Sequence, residues 1–147
     1  NGAKMSTLKD CYRLAQKKNI PVDRFPLGSR EALSLMDDTG QCYIALDPGK
    51  LVSEADEVTK LSHELGHCIT GSFYNCYTPY DCRRRHENRA DKWAIRKLIP
   101  ATELDDAVAA GHTQLWDLAD YFGVTEAFMR KAVSLYTHGN VAAELYF

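Results

Sequence analysis

Apolar residues recur along the chain with two different periods, and the changes of period mark its elements. Leu8, Cys11, Tyr12, Leu14 and Ala15 fall at helical spacing within Ser6 to Lys18, and Asn19-Ile20-Pro21 stops that helix. Between Phe25 and Pro48 the pattern shifts to two short runs, ALSLMDD and QCYIALDP, separated by Asp38-Thr39-Gly40, which predicts a small antiparallel hairpin. Helical spacing returns after Ser53, a residue suited to capping, with Val58, Leu61, Leu65 and Ile69 forming one stripe and Gly71 ending it. Residues 72–85, SFYNCYTPYDCRRR, have no clear period and read as a loop or irregular strand. A third helix is predicted from about His86 to Ile99, with Ala90, Trp93, Ala94, Lys97 and Leu98 on one side and Pro100 as its stop. Two or three shorter helices cover Thr102 to Ala110, Thr113 to Phe122 and Thr125 to Tyr136, punctuated by Gly111 and Gly123.

This order predicts an α+β fold, a small mostly antiparallel sheet packed on a helical bundle. A chain of 147 residues fits one domain spanning 1–147, with 102–147 as its C-terminal helical part and residues 1–4 a non-native remnant before a natural start at Met5. Charge adds little, since 18 Lys and Arg against 20 Asp and Glu exert no general pull toward nucleic acid or acidic membranes. Nothing approaches the roughly 18 apolar residues of a membrane span, and the first residues lack a signal-peptide pattern, so a soluble, cytoplasmic protein is expected. Five scattered cysteines, Cys11, Cys42, Cys68, Cys76 and Cys82, read as reduced thiols. Cys76 and Cys82 could form a metal knuckle with His86, but they lack the CxxC spacing of structural zinc, and ordinary thiols are the preferred reading.

The chemistry concentrates in His63-Glu64-Leu65-Gly66-His67, an H-E-x-x-H string inside the second predicted helix. Positions i and i+4 share a helix face, so both imidazoles can grip one zinc ion while Glu64 stands beside it. A catalytic zinc takes three protein ligands, and Glu87, on the next predicted helix, is the expected third. His86 is a competing third ligand, and His112 and His138 are more distant ones. Asp91, one turn beyond Glu87, is placed to accept a hydrogen bond from a ligating imidazole and fix its tautomer. Zinc would lower the pKa of a water toward about 7, and Glu64 would act as general base in attack on a peptide carbonyl. An oxyanion donor could come from Tyr74, Tyr77, Tyr80, the Arg83-Arg84-Arg85 run or His86; residue types alone do not choose among them.

QCYIALDP, then HELGH, then ENRADKWAIRKLIP resembles the ImmA/IrrE family of small metallopeptidases, in which an HExxH helix is followed by an E-x-x-A-x-x-F/W-A helix. Glu87, Ala90, Trp93, Ala94, Leu98 and Pro100 carry that second motif here. The resemblance implies a zincin-like core of gluzincin type, one zinc ion on His63, His67 and Glu87, and Glu64 as catalytic base. It further implies a protein substrate, a helix-turn-helix repressor of a phage or integrative element whose cleavage derepresses the element's genes. The alternatives are a metal-binding regulator acting by protein contact without hydrolysis, and a DNA-binding protein. Residues 118–125 do match the LA-x-x-F-G-V-[ST] core of a helix-turn-helix, but Asp105, Asp106, Asp117, Asp120 and Glu126 make that region acidic, which argues against phosphate contact. The seven Lys and Arg from Arg83 to Lys97 could instead attract an acidic substrate segment.

Overall fold

A computed structural model describes residues 5–141; the expected remnant at 1–4 lies outside the described residues. Six helices and a three-stranded mixed sheet follow in the order α1 (Leu8–Lys17), β1 (Val22–Arg24), β2 (Ala32–Met36), β3 (Cys42–Leu46), α2 (Glu54–Thr70), α3 (Tyr80–Leu98), α4 (Ala101–Ala109), α5 (Leu115–Phe122) and α6 (Glu126–His138). The α+β expectation is met. The predicted hairpin is β2–β3, five residue pairs in antiparallel register from Ala32 opposite Leu46 to Met36 opposite Cys42. Its turn is organised by Asp37, whose Oδ1 accepts from the Thr39 and Gln41 amides at 2.9 and 3.0 Å. The third strand, β1, joins parallel to β3 through only three pairs, Val22 to Ile44, Asp23 to Ala45 and Arg24 to Leu46. Three residues are too few to display a period, so this strand had no signal in the sequence.

Ile44 and Leu46 of β3 point into the core with Leu61 and Leu65 of α2 and Ile95, Leu98 and Ile99 around the end of α3, all essentially inaccessible to water. The α2 stripe is shorter than predicted: Val58, Leu61 and Leu65 are buried, whereas Ile69 is 37% exposed. Helix α2 is capped at both ends. Ser53 Oγ accepts from the Asp56 amide at 3.0 Å, and Gly71 adopts the left-handed conformation (φ +67°) that ends the helix and turns the chain back.

Two sequence expectations are corrected. Residues 80–85, placed in a loop, form the first turns of α3, which Pro79 introduces at φ −56°. Tyr80, Asp81, Arg84 and Arg85 on those turns are exposed, so no apolar stripe marked them as helical. The cysteines are not all free thiols: Cys42 of β3 and Cys68 of α2 form a disulfide across a Cα separation of 6.0 Å, leaving Cys11, Cys76 and Cys82 free. The partners stand 26 residues apart and meet only because the sheet packs on α2, a relation that spacing cannot reveal.

The helix-turn-helix-like tail spends its signature on the core. Phe122 and Val124 are buried, and Gly123 between them supplies the positive φ that lets α5 turn into α6. Among the described residues no helix is long and apolar enough to cross a membrane.

Candidate metal centre

Helices α2 and α3 meet with almost no space between them. A Cβ added to Gly66 would lie 2.5 Å from the Ala90 carbonyl oxygen, so only glycine permits this approach. Ala90 and Ala94, both fully buried, present small side chains on the α3 face. The contact lies one turn beyond Glu87 on α3 and between the two histidines' turns on α2, and it brings all three side chains to one place.

His63 Nε2 lies 2.7 Å from Glu87 Oε1, His67 Nε2 lies 3.2 Å from the same oxygen, and the two Nε2 atoms are 3.1 Å apart. Tetrahedral zinc sites with bonds of about 2.0–2.1 Å have ligand atoms separated by about 3.3 Å, so the three donors surround a space of ionic size. Both opposite ring nitrogens are engaged elsewhere. His63 Nδ1 donates to Asp91 Oδ1 at 2.7 Å and His67 Nδ1 to the Ser72 carbonyl at 2.5 Å, which leaves the Nε2 atoms to face the common point. Ser72 reaches His67 because the left-handed Gly71 folds the chain back, with the Ser72 amide donating to the His67 carbonyl at 3.1 Å. His67, His63 and Glu87 fit a divalent ion bound through two nitrogens and one oxygen, and among the described residues theirs is the one such cluster.

The charges are tightly interlocked. Burial opposes a proton on His63, yet hydrogen bonds to Asp91 and Glu87 outweigh it and push the ring up to about 10. His67 is also raised, its burial outweighed chiefly by the Glu87 hydrogen bond. Glu87 and Asp91 are both held below the usual carboxylate range despite burial, because His63 donates to each of them. Tyr74 donates to Glu87 Oε2 at 2.5 Å, and that bond keeps the phenol protonated up to about 12.

The remaining sequence candidates fall around this cluster. Glu64 is not bonded to the three donors; its Oε1 accepts from Ser34 Oγ of β2 at 2.6 Å. Tyr80 is 65% exposed at the start of α3, with Arg83 over its ring at 5.8 Å, and makes no hydrogen bond to the cluster. His86 is not part of the cluster: its ring stacks on Tyr74 at 6.2 Å, and its buried Nδ1 has no partner. His112 pairs with Asp117 at 2.8 Å, remote from the site. The Cys76, Cys82 and His86 knuckle does not form; Cys82 Sγ accepts from Arg85 at 3.0 Å instead. Ser34, Ser72 and Lys131 are the supports that sequence reasoning missed. Ser72 acts through its backbone carbonyl, and the other two lie on distant elements, so no motif spacing relates them to HELGH.

A cleft of about 630 Å³ opens beside the cluster, lined by His63, Glu64, Glu87 and Asp91 together with Phe128 and Lys131 of α6. A smaller recess of about 120 Å³ is lined by His67, Ser72, Leu33 and Ser34. The cluster therefore sits in the wall of the cleft, and Glu64, Tyr74 and Glu87 are shared between cleft and recess.

Two histidines one turn apart on one helix and a glutamate from the next, on an α+β frame and open to a groove, have the form of a metallopeptidase centre. The chain matches the family model described as the IrrE N-terminal-like domain, peptidase M78, over residues 15–134. It belongs to that metallopeptidase family. No curated protein sequence matches it significantly.

Proposed function

We propose that the protein is a zinc-dependent endopeptidase of gluzincin type that hydrolyses a peptide bond in a protein substrate, with the whole chain working as one domain. The observation that carries this reading is the convergence of His63 Nε2, His67 Nε2 and Glu87 Oε1 on one point, with Glu64 on the same wall of the groove. One zinc ion per chain, held by His63, His67 and Glu87, would supply Lewis acidity and lower the pKa of a water toward about 7. Glu64 would take a proton from the attacking water and pass it to the leaving amine nitrogen. Ser34 holds Glu64 Oε1, so Oε2 is the oxygen free to carry the proton. The Tyr74 hydroxyl lies beside Glu87, whereas neither Tyr80 nor His86 bonds to the cluster, so Tyr74 would donate to a developing oxyanion by releasing its single proton from Glu87 Oε2. The outer edge of β2 borders the recess through Leu33 and Ser34, and an extended substrate segment can add there as a further strand.

The substrate we propose is a helix-turn-helix transcriptional repressor of a phage or integrative element, cut in the cytoplasm to derepress the element's genes. Cytosolic thiols are kept reduced, so a Cys42–Cys68 bond in that compartment needs oxidising conditions. Direct nucleic-acid binding is not part of this reading, since α5 and the start of α6 carry Asp117, Asp120 and Glu126.

Glu64→Gln provides the test. Co-expressed with a candidate helix-turn-helix repressor that silences a reporter, the wild-type chain is expected to cut the repressor and switch the reporter on. The variant should still bind one metal ion while cleavage falls by about 10²–10⁴ and the reporter stays silent. A variant that still derepresses fully would favour a non-hydrolytic regulator acting by contact alone.

A further inference from the structure

The C-terminal helix reaches the metal centre through a charged side chain. Lys131, in the middle of α6, places Nζ 3.0 Å from Asp91 Oδ2, and Asp91 Oδ1 accepts from His63 Nδ1 at 2.7 Å. The three side chains belong to three different helices, α6, α3 and α2. Asp91 is only 5% exposed, whereas the Lys131 side chain is about two-fifths exposed at the wall of the cleft.

A carboxylate this deeply buried requires compensation for the water it has lost. In a site loaded with metal, a ligating imidazole is neutral, so His63 offers Asp91 a hydrogen bond but no charge. The ion offsets part of that charge through the ring, and Lys131 adds a full positive charge in direct contact with the opposite oxygen. Were it absent, Asp91 would be held by His63 on one oxygen alone and free to rotate toward the cleft, which would loosen the bond that orients His63.

We infer that Lys131 is a positioning residue of the metal centre: its charge fixes Asp91, and Asp91 in turn presents His63 Nε2 to the ion. The inference rests on the metallopeptidase reading and deepens it, because α6 becomes part of the centre rather than only packing beneath it. Removing a group that bonds directly to a metal ligand typically costs 10–100-fold in metal affinity. Lys131 acts one step further out, and a loss of roughly tenfold is expected.

The experiment is a titration of metal-free protein with Co²⁺ and with Zn²⁺ against a chromophoric chelator, together with the visible spectrum of the Co²⁺ form. Lys131→Met should weaken both metals by roughly tenfold and alter the Co²⁺ bands, while Lys131→Arg, which keeps the charge, should return both to near wild-type. Lys131→Gln, which keeps a donor without the charge, should behave like Lys131→Met and serves as the second variant if that one folds poorly. Adding Lys131→Met to Asp91→Asn should cost little more than Asp91→Asn alone, since one acts through the other. Wild-type affinity in the Met or Gln variant, or losses that simply add in the double variant, would overturn the inference. A wild-type chain that binds neither metal would overturn the metallopeptidase reading, and this inference with it.

Discussion

His63 and His67 lie one turn apart and yet titrate in different surroundings. The second nitrogen of His67 faces a neutral carbonyl, whereas that of His63 faces a carboxylate, with a further carboxylate on its other side. The metal-free ring of His63 therefore holds a proton far above its ordinary value, up to about 10. The native value is raised, so this proton stabilises the metal-free fold fully below about 6.5, and that contribution is lost as pH rises through about 10. An ion must displace the same proton to reach Nε2. At pH 7 we expect metal binding to release at least one proton per chain and apparent affinity to climb with pH up to about 10. Calorimetric titration in buffers of differing ionisation enthalpy measures the released protons directly, and heats independent of the buffer would contradict the assignment.

At the scale of elements, the site depends on how closely α3 can lie against α2. Gly66 is the residue that decides this, and its substitution has an informative sign. Gly to Ala inside a helix ordinarily stabilises by about 0.5–1 kcal/mol. Here the new Cβ would meet the Ala90 carbonyl oxygen, a backbone atom that cannot swing aside. Gly66→Ala is expected to destabilise by about 1–3 kcal/mol through overpacking and to weaken metal binding, since Glu87 moves away with α3. Denaturant unfolding of the metal-free form and a metal titration check both halves. This helix pair was the most legible part of the chain, because α2 and the later turns of α3 carry a 3.6-residue period and HELGH places both histidines on one face. Other parts escaped for identifiable reasons. Strand β1 pairs over three residues, the first turns of α3 face solvent, and Cys42 finds Cys68 only through tertiary packing. The residues that steady the site were likewise hidden, since Ser34, the Ser72 carbonyl and Lys131 reach it from outside the two motif helices or through the backbone.

Over the whole molecule, the metal centre lies where three parts of the chain must agree. Helix α2 supplies His63 and His67, α3 supplies Glu87 and Asp91, and α6 touches Asp91 through Lys131, so the donors converge only when α2 and α3 are docked, with α6 against their support. Unfolding separates Glu87 from His67 by twenty residues of chain, and the ion's preference for the native state becomes stability. At a free metal concentration one hundred times the dissociation constant, that linkage is worth about 2.7 kcal/mol. For a chain of this size each kcal/mol moves the midpoint by about 3 °C, so zinc should raise Tm by roughly 8 °C. A strong chelator should return it to the metal-free value. Glu87→Gln, which keeps the side chain's shape while weakening its hold on a cation, should respond little to zinc and melt somewhat below the metal-free wild type, because the charged bond to His63 is lost. If zinc instead raised the midpoint of that variant as much as that of the wild type, the stabilising ion would be bound somewhere other than between α2 and α3.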